Sequence, residues 1–181
     1  ALEALRGGTT VGMMADLMAG DLRGALQEIA NDTTGEFTAL DKIVAKRLLA
    51  AKTLPQVQVV PESQIGNSNG RYDAATDIAY IGENSMTSHT VLHEALHGFT
   101  LAIIKAHKEG LINNTGVRNL DELYEHLKAN YPELQGKYGM ESLVEFVSEV
   151  MSNSDFQEQL NAIPYKRSNI FTEFARAILR M

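Results

Sequence analysis

The feature that most constrains this chain is the sequence His-Glu-Ala-Leu-His at positions 93–97, inside a mostly apolar run from Thr90 to Ala106. The run contains no proline, and Thr87 or Ser88 can cap its start, so we expect a helix. In a helix the two histidines lie one turn apart on one face, and both imidazoles can bind a single metal ion. Glu94 is then rotated by about 100° from the first histidine and lies beside the ion, where a general base for an activated water is needed.

The other residues of this predicted helix are apolar nearly all the way round, which is typical of a buried helix. Because buried polar side chains need hydrogen-bond partners or a metal, His93, Glu94 and His97 indicate a metal centre. Neutral imidazole nitrogens suit zinc, and a catalytic zinc requires three protein ligands and an open position for water. The alternative is a chance match with hydrogen-bonded core histidines, since the motif has only three fixed residues.

The composition of the chain argues against several other classes of protein. A net charge of −7 disfavours a nucleic-acid-binding protein and binding to an anionic membrane. The absence of cysteine rules out disulfides, thiol catalysis and zinc sites built from thiolates. No apolar stretch approaches the length of a membrane span and no secretory signal is visible. We therefore expect a soluble globular protein, with its location and oligomeric state left open.

Hydrophobic periodicity predicts an α+β fold that is mostly helical. We expect residues 1–54 to form a helical segment packed on the domain, and residues 55–181 to form the domain that carries the motif. Valines at positions 57, 59 and 60 predict a strand and residues 71–81 a hairpin, which together make a small antiparallel sheet just before the motif helix. Because the chain begins at Ala1 and ends at Met181 within an amphipathic pattern, we also expect a segment of a longer protein.

No further histidine is placed to complete the metal site. In the extended motif with a third histidine, that residue would fall at position 103, which is Ile103. His107 lies about 15 Å along the helix axis from His97, and His89 lies about 12 Å from it on the other side. Neither can share an ion with both motif histidines, and surface or capping roles are expected for them.

The remaining candidates are two glutamates on a helix predicted from Glu141 to Met151. Glu145 and Glu149 are one turn apart on its polar face, which in a helix considered alone would simply be solvated. Paired with the upstream motif, one of them can complete a site of two histidines and one glutamate. The other can accept the N–H of a zinc-binding histidine. The spacing alone leaves open which residue has which role.

The combination of His-Glu-Ala-Leu-His with Glu-Phe-Val-Ser-Glu at positions 145–149 resembles the zincin metallopeptidases of the gluzincin type. This resemblance implies a zincin-like fold in which Glu145 is the third zinc ligand and Glu149 orients a zinc-binding histidine. Over longer stretches, the sequence of residues 72–81, 90–94 and 145–156 resembles the zincin domains embedded in large phage and mobile-element polyvalent proteins. That similarity covers about residues 55–181, and it implies a module of a virion or one delivered with phage DNA.

These observations predict a zinc-dependent endopeptidase that acts on a protein or peptide substrate. Zn²⁺ bound by His93, His97 and Glu145 would activate a water, and Glu94 would take its proton and pass it to the leaving amine. The resemblance also suggests Tyr138, in a glycine-flanked loop, as a donor to the oxyanion; packing is an equally open role, and His126 is a weaker candidate. The competing hypotheses are a zincin-fold binding or structural module without activity, and an all-helical adaptor with chance histidines.

The strand at residues 77–81 directly precedes the loop into the motif helix, so we expect it to border the cleft as a sheet edge. An exposed edge offers unpaired N–H and C=O groups, and an extended peptide can join it as an added strand. Ile78, Ala79 and Tyr80 are therefore the predicted substrate-binding residues. The alternative is that loops of the chain itself cover this strand. No nucleic-acid or membrane partner is expected.

Overall fold

The computed structural model describes residues 7–181, apart from the side chains of Tyr138, Ser152 and Ser154. The fold is α+β and mostly helical with a small sheet, as the sequence predicts. The chain divides into two compact units, Ala1–Phe99 and Thr100–Met181. Residues 7–54 therefore belong to the same unit as the sheet, and the domain boundary expected near residue 54 stays a prediction.

Three helices open the first unit: α1 (Val11–Met18), α2 (Leu22–Ala30) and α3 (Ala39–Leu49). Each begins after a polar residue whose side chain accepts a hydrogen bond from a backbone amide in the first turn, which satisfies one of the unpaired amides at a helix start. These capping residues are Thr10, Asp21 and Thr38. The helices bury one apolar face, with Met13, Leu17, Leu26, Ile29 and Leu48 in the core.

A three-stranded sheet follows: β1 (Gln56–Val60), β2 (Gly70–Asp73) and β3 (Ile78–Gly82). β2 and β3 form the predicted antiparallel hairpin, but β1 pairs with β3 in parallel. The prediction of an antiparallel sheet is therefore wrong, and the sheet is mixed. The reason is the connection after β1, where a 3₁₀ turn (Glu62–Ile65) leads the chain to the far edge before the hairpin returns β3 to the centre.

The order β1-β3-β2 places β3 in the middle of the sheet. In register, Ala79 lies between Val57 of β1 and Tyr72 of β2. The prediction that residues 77–81 form an open edge is wrong, because β1 occupies the side that the sequence left free. Ile78, Ala79 and Tyr80 are paired on both sides, so an added peptide strand has no main-chain position to join there.

The motif helix, α4, spans Ser88–Lys108 and is slightly longer than predicted. Thr87 caps it by accepting the amide of Thr90 at 3.4 Å. Ser88 is fully buried at its start, where its amide donates to the carbonyl of Gly8 at 2.8 Å and its hydroxyl donates to Asp41 of α3 at 3.1 Å. The N-terminal segment and α3 therefore fix the beginning of the helix that carries the histidines.

The second unit continues from α4 with α5 (Thr115–Asn130), α6 (Leu143–Ser152), α7 (Ser154–Asn161) and α8 (Ile170–Leu179). Two-residue strands, β4 (Pro164–Tyr165) and β5 (Ser168–Asn169), pair between α7 and α8. Phe146 of α6 is at the centre of the core, with its ring 5.6–6.2 Å from those of Tyr124, Phe156 and Phe174. Among the helices described, none combines the length and the apolar character that a membrane crossing requires.

Candidate metal centre

The helical spacing of α4 brings the two motif histidines together. The Nε2 atoms of His93 and His97 are 2.9 Å apart, and the ring centroids are separated by 4.5 Å with the planes at 76°. Two nitrogens that bind one tetrahedral zinc at about 2.0–2.1 Å are roughly 3.3 Å apart. The observed separation is shorter than this and is a hydrogen-bond distance, so the two nitrogens are close enough both to bond to each other and to reach a single ion.

Glu94 is buried beside this pair of nitrogens. The residue is 6% exposed, and its Oε1 lies 3.9 Å from Nε2 of His93. Burial raises the pKa of Glu94 from 4.5 to about 7, and the nearby backbone amide of Tyr72 lowers the pKa in part. A carboxyl that titrates near neutral pH is well matched to proton transfer as a general base.

Two glycines allow the sheet to lie close to this part of α4. A Cβ at Gly70 of β2 would be 2.9 Å from Cγ of Glu94 and 2.9 Å from Cγ2 of Thr90. A Cβ at Gly98, directly after the second histidine, would be 2.9 Å from Pro55 and 3.1 Å from the ring of Tyr72. Strand β2 and the histidine-bearing turns of α4 are therefore in direct contact.

The other three histidines have different surroundings. His89 is exposed, and its ring centroid is 6.1 Å from that of His93. His107 accepts the backbone amide of Asn114 through Nδ1 at 3.1 Å, in keeping with the expected capping role. His126 packs its ring against Tyr165 with a centroid distance of 4.8 Å.

The predicted glutamates lie in the second unit, on α6. Glu145 is in the first turn, and its amide donates to the hydroxyl of the capping Ser142 at 3.2 Å. Glu149 is half-buried and accepts a hydrogen bond from Nδ2 of Asn153 at 2.6 Å. The helix is confirmed, whereas the roles of zinc ligand and orienting partner stay predictions. The backbone of Tyr138 lies in a 3₁₀ turn (Tyr138–Met140), and its predicted side-chain role lies outside the described atoms.

The donor set of the first unit suits zinc, because it offers two convergent imidazole nitrogens and a neighbouring carboxylate. In the part of the chain that the structure describes, no three His, Cys, Asp or Glu side chains are grouped so that they could hold a metal ion. The structure thus brings together the histidine pair and Glu94, and the third ligand stays a prediction.

The sequence did not indicate that Gly70 and the amide of Tyr72 belong to this site. Gly70 begins β2, one residue before the segment 71–81 that was predicted as a hairpin. A strand amide that lies near a side chain on a later helix leaves no mark on hydrophobic periodicity, which reports only the buried faces. The glycine beside an alternating segment was the available signal, since glycine in a strand often marks a close backbone approach.

Comparisons with known proteins give no family for this chain, so an assignment of function depends on the residues described above. Protein-family models, curated proteins and solved structures were compared with the chain, and none of them matches it.

Proposed function

We propose that this protein is a zinc-dependent endopeptidase with a zincin-like fold. The observation that carries the proposal is the convergence of the Nε2 atoms of His93 and His97 next to the buried carboxyl of Glu94. Two imidazoles one turn apart, with a buried carboxyl beside them, supply two nitrogen ligands and a neighbouring base on one helix face. The α+β architecture, with a sheet packed on the motif helix, is compatible with that fold class.

His93 and His97 would hold the zinc, with Glu145 as the predicted third ligand. When bound, zinc supplies a Lewis acid that lowers the pKa of a water ligand from 15.7 to about 7 and polarises the scissile carbonyl. The two imidazoles must be neutral to bind it.

Glu94 moves the proton in this proposal. Its carboxylate would accept a proton from the attacking water and then donate it to the leaving amine, so the group returns to its starting state. Glu149 would orient a zinc-binding histidine, and Tyr138 would donate a hydrogen bond to the developing oxyanion.

Metal analysis of the purified protein tests the first step, with about one zinc per chain expected. The substitution His93→Ala should remove the zinc and lower thermal stability, because part of the binding free energy is folding free energy. His89→Ala is the matched control, since His89 lies one turn earlier on the same helix and is exposed. Full stability in chelator, with no metal found, would refute the metal centre.

Cleavage of a denatured protein and of a peptide library tests the second step. Zinc-dependent cleavage that stops in chelator and returns on addition of zinc supports the peptidase. A protein that holds stoichiometric zinc yet cleaves none of these substrates would instead be a binding or structural module with a zincin-like site.

The two glutamates of α6 should differ in their effect on zinc affinity. Glu145→Ala should abolish zinc binding, because it removes a direct ligand. Glu149→Ala should weaken affinity or activity by about 10–100-fold, which is the usual effect of losing a group that orients a ligand. Zinc titration with a chromogenic chelator measures both, and the opposite ranking would exchange the two roles.

A further inference from the structure

The outer edge of β2 is already used by the chain itself. Across the hairpin the amide of Gly82 donates to the carbonyl of Asn69 at 2.8 Å. Because residues of an antiparallel pair alternate between bonded and non-bonded positions, Gly70 and Tyr72 turn their peptide groups away from β3. The carbonyl of Gly70 accepts the hydroxyl of Ser68 at 3.1 Å, and the amide of Tyr72 is close enough to Glu94 to lower the pKa of its carboxyl.

The side chain of Glu94 is held from a second direction at Gly70. A Cβ at this position would be 2.9 Å from Cγ and 3.0 Å from Oε1 of Glu94, and 2.9 Å from Cγ2 of Thr90. Real Cβ contacts are essentially never shorter than 3.0 Å, so any side chain at position 70 must displace its neighbours. The backbone φ of Gly70 is not in the left-handed region, so it is the close approach that requires glycine here.

We propose that Gly70 is a positioning residue for Glu94: its bare backbone lets β2 approach α4 so closely that the strand confines the Glu94 side chain. Gly70 makes room for the methylene groups, and Glu94 is left with its Oε1 3.9 Å from Nε2 of His93. The effect of Gly70 on turnover rests on the proposed peptidase function, whereas the contact between β2 and Glu94 does not.

Gly70→Ala adds a single methyl group against Glu94 and Thr90. In the zinc-loaded enzyme kcat should fall by about 10–100-fold, because a misplacement of about 1 Å costs on the order of 10²-fold. KM should stay within about 2-fold and zinc content should not change, because the histidines are untouched. A merely structural role for Gly70 would lower the melting temperature and leave the kcat of the folded fraction unchanged, which would overturn the proposal.

Gly82→Ala is the matched control. Gly82 ends the neighbouring strand β3, and a Cβ there would be 2.5 Å from Oε1 of Glu62, so this variant also pushes a methyl group against a glutamate. Glu62 binds the amide of Asn84 at 2.8 Å and takes no part in the proposed site. Gly82→Ala should lower the melting temperature and keep kcat, and an equal loss of kcat in both variants would overturn the proposal.

A second variant, which adds no side-chain atoms, tests the proposal if Gly70→Ala does not fold. Replacing Tyr72 by the corresponding α-hydroxy acid turns its amide into an ester, which removes the N–H near Glu94 and also weakens the carbonyl of Arg71 as an acceptor. We expect kcat to fall by about 10-fold, in the range of a hydrogen bond to a charged group, with KM and zinc content unchanged. An unchanged kcat would show that the amide does not position the base.

A double-mutant comparison in chelator tests the contact without any turnover. Gly70→Ala should lower the melting temperature less in a protein that carries Glu94→Ala and Thr90→Ser, because both contacted groups are then missing. If this difference is found in a protein without peptidase activity, the contact stands and the proposed function fails. Equal shifts in the two backgrounds would overturn the contact, whatever the wild-type activity.

Discussion

Glu94 and Asp32 are two carboxylates of the first compact unit that are buried to a similar degree and held differently. The side chains are 8% and 3% exposed, respectively. Asp32 accepts hydrogen bonds from the hydroxyl of Thr34 and from the amides of Thr34, Gly35 and Phe37, and Lys42 lies 3.8 Å away. Beside Glu94, the amide of Tyr72 is the one backbone group among the described residues that lowers the pKa of the carboxyl.

Two differences separate the carboxyls: Asp32 has more donors, and as a whole residue it is half-buried, whereas Glu94 is buried. The Thr34 hydroxyl and the surrounding amides lower the pKa of Asp32 from 3.8 to about 2. Burial raises the pKa of Glu94 to about 7, because a single amide does not replace the water that the charged form has lost. The first group stabilises a turn as a permanent anion, whereas the second is suited to exchange a proton near neutral pH.

The largest effect that separates the two carboxyls is on turnover. Glu94→Gln should keep zinc and fold but lower kcat by about 10²–10⁴-fold, because the amide can bind a water and cannot take its proton. Asp32→Asn should leave kcat unchanged in the folded protein. Steady-state cleavage of one peptide by both variants measures the contrast. Undiminished turnover by Glu94→Gln would show that burial and a raised pKa do not mark the base.

The second effect is on how the folding stability of the metal-free protein changes with pH. The folded pKa of Glu94 lies above its ordinary value, so the folded state binds more protons than the unfolded state between about pH 4.5 and 7. Stability therefore falls as pH rises through this window, by about 3 kcal/mol in total. Glu94→Gln, which stays neutral, should be the more stable protein at pH 8 and match the wild type at pH 4.

Urea unfolding in chelator at these two pH values measures this difference. Asp32→Asn is the informative partner, because at pH 8 it should be less stable than the wild type, whereas Glu94→Gln should be more stable. A wild-type protein as stable at pH 8 as the Gln variant would mean that Glu94 is better solvated than its exposure of 6% suggests.

The parts of the site that depend on short-range spacing could be predicted from the sequence. The period of the helix alone places His93 and His97 on one face with Glu94 beside them, and the structure has this arrangement on α4. The helix that carries Glu145 and Glu149 was also predicted, since its apolar residues recur at helical spacing. Such patterns are local, so one sequence contains all the information they need.

The parts that depend on pairing between distant segments could not be predicted. The sequence of residues 56–60 does not indicate whether this strand pairs with β2 or with β3. The sheet was therefore expected to be antiparallel, with residues 77–81 at an edge. The contact of Gly70 with Glu94 depends on the same strand order. Periodicity gives the face that a strand buries, whereas its neighbours follow from the connections.

The smallest effect belongs to Asp32, and it tests the other half of the comparison. The pKa of Asp32 is lowered in the folded protein, so its contribution to stability is fully present above about pH 4 and is lost as pH falls towards 2. Asp32→Asn keeps one acceptor oxygen and replaces the other with an N–H₂ group, which faces the amides of Gly35 and Phe37 or the hydroxyl of Thr34. We expect a melting temperature lower by a few degrees at pH 7, and a difference that shrinks as the pH approaches 2. Thermal unfolding followed by circular dichroism at pH 7, 4 and 2 measures it. A constant difference across this range would mean that the charge of Asp32 contributes nothing, and that its hydrogen bonds alone hold the turn between α2 and α3.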